Sequence, residues 1–151
     1  MVIPTTNEKM LHPLFTPLGS VLLSLSLSLT GVNVTEDKQA CSTNTNLMGE
    51  YVLVSKEITL CSDNIAEKGE VSLNVLKHEA IHAIHHNLGW EERTFLHEDV
   101  ITFLVRNLMH DDETMAVLIN YQGSTDQEFE ARFLSLLPAE YIALAVLLSS
   151  I

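Results

Sequence analysis

His78, Glu79 and His82 form a His-Glu-x-x-His motif in a segment, residues 73–88, whose apolar side chains recur at helical spacing. On a helix, residues four positions apart are neighbours about 5–6 Å apart at Cβ, so both histidines can bind one Zn²⁺ ion at about 2.0–2.1 Å. Glu79 then lies about a quarter-turn from His78, where its carboxylate can accept a proton from water without binding the metal. The motif therefore predicts a metal-dependent hydrolase with zinc as its cofactor.

The predicted helix is amphipathic, because His78, His82 and His85 fall on one side of it. Its opposite side carries Leu73, Leu76, Ala80, Ala83 and Ile84. Gly89 provides a stop signal. His85 and His86 are expected behind the metal site or at the surface, since three side chains from consecutive turns of one helix rarely complete a tetrahedral site. The alternative is a solvent-facing histidine cluster on an ordinary amphipathic helix, in a chain that contains seven histidines.

A third protein ligand is needed, and the extended metzincin pattern does not continue after the motif, so this ligand is expected from another segment. Residues 125–137 predict a helix opened by a capping box, Thr125 with Glu128, and closed by Pro138. Glu128 falls on the polar face of this helix beside Arg132, where an ion pair four residues apart explains it without a function.

Glu130 projects instead from the apolar arc of the same helix, where an unpaired carboxylate would cost several kcal/mol. A metal ion would compensate that cost, so Glu130 is the predicted third ligand. The alternative is a partly buried Glu130 that pairs with Arg93 or Arg106 or is neutral through a raised pKa.

The His78-Glu79-x-x-His82 motif, followed by a glutamate on a later helix, resembles small gluzincin-type zinc metallopeptidases. Residues 49–51 and 58–65 are similar to the approach to the motif in the mitochondrial intermembrane-space peptidases that process an ATP-synthase subunit. Residues 130–138, Glu-Ala-x-x-Phe ending in Leu-Leu-Pro, resemble the antirepressor-type metallopeptidases of mobile elements. These resemblances cover about residues 49–90 and 124–140.

The resemblance implies a zincin-like α+β domain, in which a short antiparallel or mixed sheet packs on the active-site helix and a helical C-terminal half follows. It also implies one Zn²⁺ per chain, held by His78, His82 and Glu130, and hydrolysis of peptide bonds with Glu79 as general base. Residues 51–54 and 58–61 flank a short polar turn and predict a hairpin of that sheet. The resemblance places this strand edge at the rim of the cleft, where it could bind substrate backbone.

The N-terminal third offers no such resemblance. Residues 1–20 contain three prolines and predict an irregular arm or a short helix. Residues 21–29 alternate Leu with Ser, a period of two that predicts a half-buried strand, with a signal-peptide apolar region as the alternative.

Two further segments are predicted to be helical. Residues 91–121 carry apolar side chains at helical spacing that predict a core. Residues 139–151 are apolar nearly all round, which predicts a helix that is buried or that binds a partner or a second copy, and is too short to span a bilayer. His97, His110, Tyr51 and Tyr121 are possible oxyanion donors, although a structural role is the simpler interpretation of each.

The 151 residues, 46% of them hydrophobic, are enough for one domain, which we expect to cover residues 1–151. A net charge of −12 argues against binding to nucleic acid and, around a cleft, could favour basic peptide segments. Cys41 and Cys61 would form a disulfide in an oxidising compartment or remain free thiols in the cytoplasm. Without a clear targeting signal the location stays open, with the cytoplasm favoured over secretion.

The sequence thus predicts a zinc-dependent endopeptidase that acts on a protein or peptide. Two other functions stay open. One is a catalytically silent binding or regulatory protein on a zincin scaffold, and the other is a helical adaptor that docks a partner through residues 139–151.

Overall fold

The computed structural model describes residues 12–151, with side chains from residue 18 onward, as helices around a small sheet. The elements in chain order are α1 (His12–Leu29), β1 (Asn33–Glu36), α2 (Gln39–Thr43), β2 (Gly49–Val52), β3 (Glu57–Leu60), α3 (Ser62–Glu67), α4 (Ser72–Asn87), α5 (Glu98–Leu108), α6 (Asp111–Asn120), α7 (Thr125–Leu134) and α8 (Ala139–Ser149). The α+β class and the helical C-terminal half are confirmed.

The sheet has three strands in the order β1-β3-β2. β3 runs parallel to β1 and antiparallel to β2, so that Ile58 lies opposite both Val34 and Tyr51. The predicted hairpin is present as β2 and β3, although β2 begins at Gly49 and ends at Val52. β2 is therefore an edge strand, with one side that no strand of the described residues pairs with.

The motif helix α4 lies at the centre of the fold, in contact with β2, β3, α7 and α8. The predicted apolar positions pack as expected, because Leu76, Ala80, Ala83 and Ile84 are buried. Gly89 ends the helix with φ +68°. The Gly89 and Trp90 N–H groups donate to the carbonyls of His86 and His85, each at 2.9 Å, which is the Schellman pattern.

β2 packs closely on α4 because Gly49 has no side chain. A Cβ atom at this position would lie 2.6 Å from Val75 Cγ1 and 3.3 Å from Glu79 Cγ. The strand therefore passes directly over the first turn of the motif.

The prediction of a strand over residues 21–29 is wrong, and of the two alternatives for residues 12–20 the helix is present and the irregular arm is not, because both segments belong to α1. Residues 1–11 lie outside the described part of the chain. Leu23 and Leu27 are fully buried one turn apart, and α1 packs lengthwise on α8. Alternation of Leu with Ser places leucines on every side of a helix, including positions four residues apart on one face. The same sequence is therefore compatible with a buried helix face and with one face of a strand. Ser26 Oγ donates to the Leu22 carbonyl at 2.8 Å, which satisfies this buried hydroxyl within the helix.

The helices predicted in residues 91–121 are present as α5 and α6, but their apolar side chains are mostly not core. Only Ile101 and Val117 are buried there, against Phe129 of α7. The exposed large side chains are Phe95, Val100, Phe103, Leu108, Met115, Leu118 and Ile119. α5 and α6 each pack on α7, so much of their apolar surface has no covering layer among the described residues.

The predicted C-terminal helix is α8, and it is buried on one side only. Ala139, Ile142, Ala143 and Val146 are buried, whereas the outer face is exposed. In the described part of the chain, no helix combines the length and the apolar character needed to cross a membrane.

Cys41 and Cys61 form a disulfide that joins α2 to the end of β3. The buried Asn64 side chain reinforces this link, because its Nδ2 donates to the carbonyls of Cys41 at 3.1 Å and Leu47 at 2.8 Å. Together these bonds fix the segment that leads into β2 and so into the cleft.

Candidate metal centre

His78 and His82 of α4 meet Glu128 of α7 at one point. Glu128 Oε1 lies 3.2 Å from His78 Nε2, Glu128 Oε2 lies 3.1 Å from His82 Nε2, and the two ring nitrogens are 3.2 Å apart. These are the only three potential ligands among the described residues that converge closely enough to hold one metal ion.

This triangle has the size that a tetrahedral zinc site requires. Ligand atoms about 2.0–2.1 Å from zinc in tetrahedral geometry are about 3.3 Å apart. Each pair of these side chains approaches to 3.1–3.2 Å, with Glu128 reaching the two histidines through different carboxylate oxygens. Two imidazoles and one carboxylate are also a ligand set of catalytic zinc sites, which leave a fourth position open. The residues present therefore fit a zinc ion.

Glu128 is ionised in this setting. Burial alone would raise the pKa of its carboxyl, but the hydrogen bonds and positive charge of His78 and His82 outweigh burial and hold the pKa well below its usual range. The predicted pair with Arg132 is present as well, with Arg132 Nε 3.4 Å from the carboxylate.

The choice of Glu130 over Glu128 as the carboxylate that meets the histidines is wrong in this structure. Glu130 is fully buried, with Oε2 2.7 Å from His85 Nε2 and Oε1 accepting from the Leu96 N–H at 2.6 Å. Glu130 thus pairs with His85, and not with His78 and His82 or with the alternative partners Arg93 and Arg106. Two residues apart on a helix, Glu128 and Glu130 point about 200° apart, so they cannot face the same group.

The predicted capping box is also wrong, because the Glu128 side chain contacts His78 and His82 and does not bond to the start of its own helix. Ser124 is the N-cap of α7 and makes no side-chain capping bond, while Thr125 Oγ1 donates to the Tyr121 carbonyl at 2.9 Å. The polar face of α7 therefore meets the histidine face of α4. The position of Glu128 on that polar face was the feature of the sequence that could have identified it as the third ligand.

His85 and Glu130 belong to a buried network that holds residues 88–97 against α7. The His85 ring stacks on Trp90 and Phe95, with centroids 6.2 and 5.4 Å away. Gln127 Nε2 donates to the carbonyls of Trp90 at 3.2 Å and Arg93 at 2.9 Å. The same two turns of α7 thus supply the candidate ligand and fix the adjoining wall of the cleft.

The remaining predicted residues divide between the cleft and the surface. His86 Nδ1 lies 2.6 Å from the Tyr51 hydroxyl, beside the cleft. Tyr51 and Tyr121 line the cleft, whereas His97 and His110 are the N-cap residues of α5 and α6. Of the four residues predicted as possible oxyanion donors, Tyr51 and Tyr121 therefore lie at the cleft and His97 and His110 do not.

Glu79 lines the cleft beside the histidines and is almost completely buried. Burial raises its pKa to about 7, opposed by the positive charge of His82 and by the Tyr51 backbone N–H, and assisted by the negative charges of Glu128 and Glu50.

The cleft has a volume of about 700 Å³. Its described lining residues are Leu47, Gly49, Glu50, Tyr51, Leu53, His78, Glu79, His82, His85, His86, Gly89, Trp90, Glu91, Tyr121, Ser124, Gln127 and Glu128. No protein-family model matches the chain, and no curated protein or solved structure matches it significantly. The geometry of these residues is therefore the basis for assigning a function.

The raised pKa of Glu79 predicts that the metal-free protein loses stability as pH rises. Between about pH 4.5 and 7 the unfolded chain has released this proton while the folded protein retains it, so folding becomes less favourable by about 1.4 kcal/mol per pH unit, or about 3 kcal/mol in all. Glu79→Gln cannot ionise and should lack this component. The test is urea denaturation of metal-free wild type and variant from pH 4.5 to 8.

We expect the free energy of unfolding of Glu79→Gln, relative to wild type, to increase across this pH range. Glu92→Gln, at an exposed position outside the cleft, is the matched control and should show no such trend. A difference between Glu79→Gln and wild type that stays constant with pH would contradict the burial of an ionisable Glu79.

Proposed function

We propose that this protein is a zinc-dependent endopeptidase. The observation that carries the proposal is the convergence of His78, His82 and Glu128 within 3.2 Å of one another, beside a buried Glu79 in an open cleft. A histidine cluster at a helix surface would not require a buried carboxylate from a second helix at its centre.

His78, His82 and Glu128 would hold the zinc ion. When bound, zinc supplies Lewis-acid chemistry, which makes water more acidic and polarises a peptide carbonyl. Zinc is proposed over other divalent ions because three protein ligands of this type, with one position left open, are typical of zinc hydrolases.

Glu79 would act as the general base. Its carboxylate accepts a proton from the attacking water as the water oxygen bonds to the carbonyl carbon, and delivers this proton to the nitrogen as the C–N bond breaks. Burial beside His78 and His82 keeps this carboxylate next to the site where both transfers take place.

An extended peptide is the substrate that the cleft favours. Three residues of the edge strand, Gly49, Glu50 and Tyr51, line it, and an edge strand offers main-chain groups to which a peptide can add as a further strand. Such binding sets the register of a substrate with little demand on its sequence, which suits an endopeptidase.

The direct test is zinc-dependent cleavage of an unfolded polypeptide. We expect the zinc-loaded protein to cleave reduced, alkylated casein at internal bonds, detected by mass spectrometry, and to lose this activity with a chelator and regain it with added zinc. Absence of cleavage in protein that carries stoichiometric zinc would overturn the proposal.

A second candidate function is association through α8, because its outer face exposes Tyr141, Leu144 and Leu148. Deletion of residues 139–151 would also remove the buried Ile142 and Val146, so a surface substitution is the cleaner test. Sedimentation of wild type and Leu144→Lys should show a larger species only for wild type, and monomeric behaviour of wild type would remove self-association from consideration.

We also propose an oxidising compartment as the location, in place of the cytoplasm favoured from the sequence. The proposal rests on the Cys41–Cys61 disulfide, because such bonds persist in oxidising compartments. Mass spectrometry of protein alkylated without reduction in its native cells should find neither cysteine modified, and two modified thiols would contradict it.

A further inference from the structure

The lining of the cleft carries negative charge that the proposed chemistry does not use. Among its described residues are four carboxylates, those of Glu50, Glu79, Glu91 and Glu128, and no Lys or Arg. A divalent zinc ion would balance two of these charges, those of Glu79 and Glu128. Glu50 and Glu91 are then left without a positive partner in the cleft, and neither makes an ion pair within the described part of the chain.

These two glutamates belong to different parts of the fold. Glu50 belongs to the edge strand β2 and lines the cleft, and the neighbouring Gly49 packs directly against Glu79. Glu91 directly follows Trp90 on the wall segment that Gln127 holds through two backbone carbonyls. Both glutamates therefore line the cleft into which a substrate lying along β2 would fit.

Trp90 adds an aromatic surface to the same wall. Its ring lines the cleft, packs on Phe95 with centroids 4.8 Å apart, and is partly exposed. An aromatic face next to a carboxylate favours a cationic side chain, because the ring attracts the cation while the carboxylate pairs with it.

We infer that the cleft selects peptide segments with a Lys or Arg side chain near the scissile bond, and that Glu50, Glu91 and Trp90 determine this specificity. The inference rests on the proposed endopeptidase function, since it names the substrate class of the same site. If charge determines this selection, added salt should weaken the preference for basic peptides, because it screens the charges of Glu50 and Glu91.

The test compares short fluorescein-labelled peptides that differ only in a central Lys, Gln or Glu. We expect zinc-loaded wild type to cleave the Lys peptide with a kcat/KM about tenfold above that of the Gln peptide, the size expected for one exposed ion pair with a cation–π contact. The Glu peptide should be cleaved more slowly still. Glu50→Gln with Glu91→Gln should reduce the Lys-to-Gln ratio to about threefold, the part that a cation–π contact with Trp90 supplies, whereas Glu92→Gln should leave it unchanged.

A binding measurement separates this inference from the proposed function. Fluorescence anisotropy with Glu79→Gln should show tighter binding of the Lys peptide than of the Gln peptide, and a smaller difference in the triple variant that also carries Glu50→Gln and Glu91→Gln. Cleavage without charge preference would overturn the inference and leave the peptidase intact. Preferential binding of the Lys peptide in a protein that cleaves nothing would overturn the peptidase and keep the basic-segment site. Equal binding of all three peptides would overturn the inference whatever the activity.

Discussion

Replacing Glu79 by Gln should reduce kcat for peptide hydrolysis about 10³-fold while the protein keeps its zinc. Gln has the size of Glu but cannot accept the water proton, and a positioned general base typically contributes about 10²–10⁴ in rate. Binding of the metal should not change, because Glu79 lies outside the His78, His82 and Glu128 triangle. The measurement is kcat on a peptide cleaved by wild type, with the zinc content of the same samples.

Two comparisons make this result specific to the base. Glu92→Gln removes a carboxylate from the exposed surface and should keep full activity. His82→Ala should lose zinc and activity together, unlike Glu79→Gln. Hydrolysis by zinc-loaded Glu79→Gln at the wild-type rate would contradict the assigned role.

Replacing Glu130 by Ala should lower the free energy of unfolding by about 3–5 kcal/mol, because it removes the acceptor of two buried hydrogen bonds and leaves a cavity. The substitution leaves the His85 ring and the Leu96 N–H without an acceptor in the interior, and His85 Nδ1 already has no hydrogen-bond partner among the described residues. It also opens a cavity between α4 and α7. Urea denaturation of wild type and variant at neutral pH measures this loss.

Glu130→Gln serves as the graded control. Its amide oxygen can still accept from Leu96, so we expect a smaller loss than for Ala. Glu113→Ala, which removes an exposed partner of Arg132, should change stability by less than about 1 kcal/mol. A Glu130→Ala variant as stable as wild type would show that the His85–Glu130 pair does not hold the wall.

The sequence predicted best what is encoded locally. Spacing within α4 was sufficient to place His78 and His82 on one face, and Gly89 ended the helix because the left-handed conformation there favours glycine. The hairpin was likewise found from two β-rich runs around a polar turn. Each of these features depends on residues less than about a dozen positions apart.

The third carboxylate could not be chosen in that way, because its partner lies on another helix. A helical wheel separated the faces of α7 correctly, since Glu130 is buried among apolar groups and Glu128 is beside Arg132. It could not reveal that His85 compensates Glu130, or that the polar face of α7 closes on His78 and His82. Burial of a carboxylate was therefore an ambiguous sign of metal binding.

The predictions for α1 and for the apolar faces of α5 and α6 were wrong for a related reason. The alternating leucines of α1 are compatible with the period of a strand and with that of a helix, and packing against α8 favours the helix. In α5, apolar side chains at helical spacing face solvent at Phe103 and Leu108 because only one side of the helix finds a partner in the described structure. Periodicity predicts a face and does not predict what covers it.

The central claim is that Glu128, with His78 and His82, binds a metal ion, and metal content tests it most directly. Wild type, Glu128→Ala and Glu130→Gln should be purified without a tag, supplied with zinc, dialysed against a weak chelator and analysed by inductively coupled plasma mass spectrometry. We predict about one zinc per chain in wild type and in folded Glu130→Gln, and almost none in Glu128→Ala, because two histidines alone hold zinc weakly. Wild type without zinc, or Glu128→Ala with as much zinc as wild type, would contradict the account.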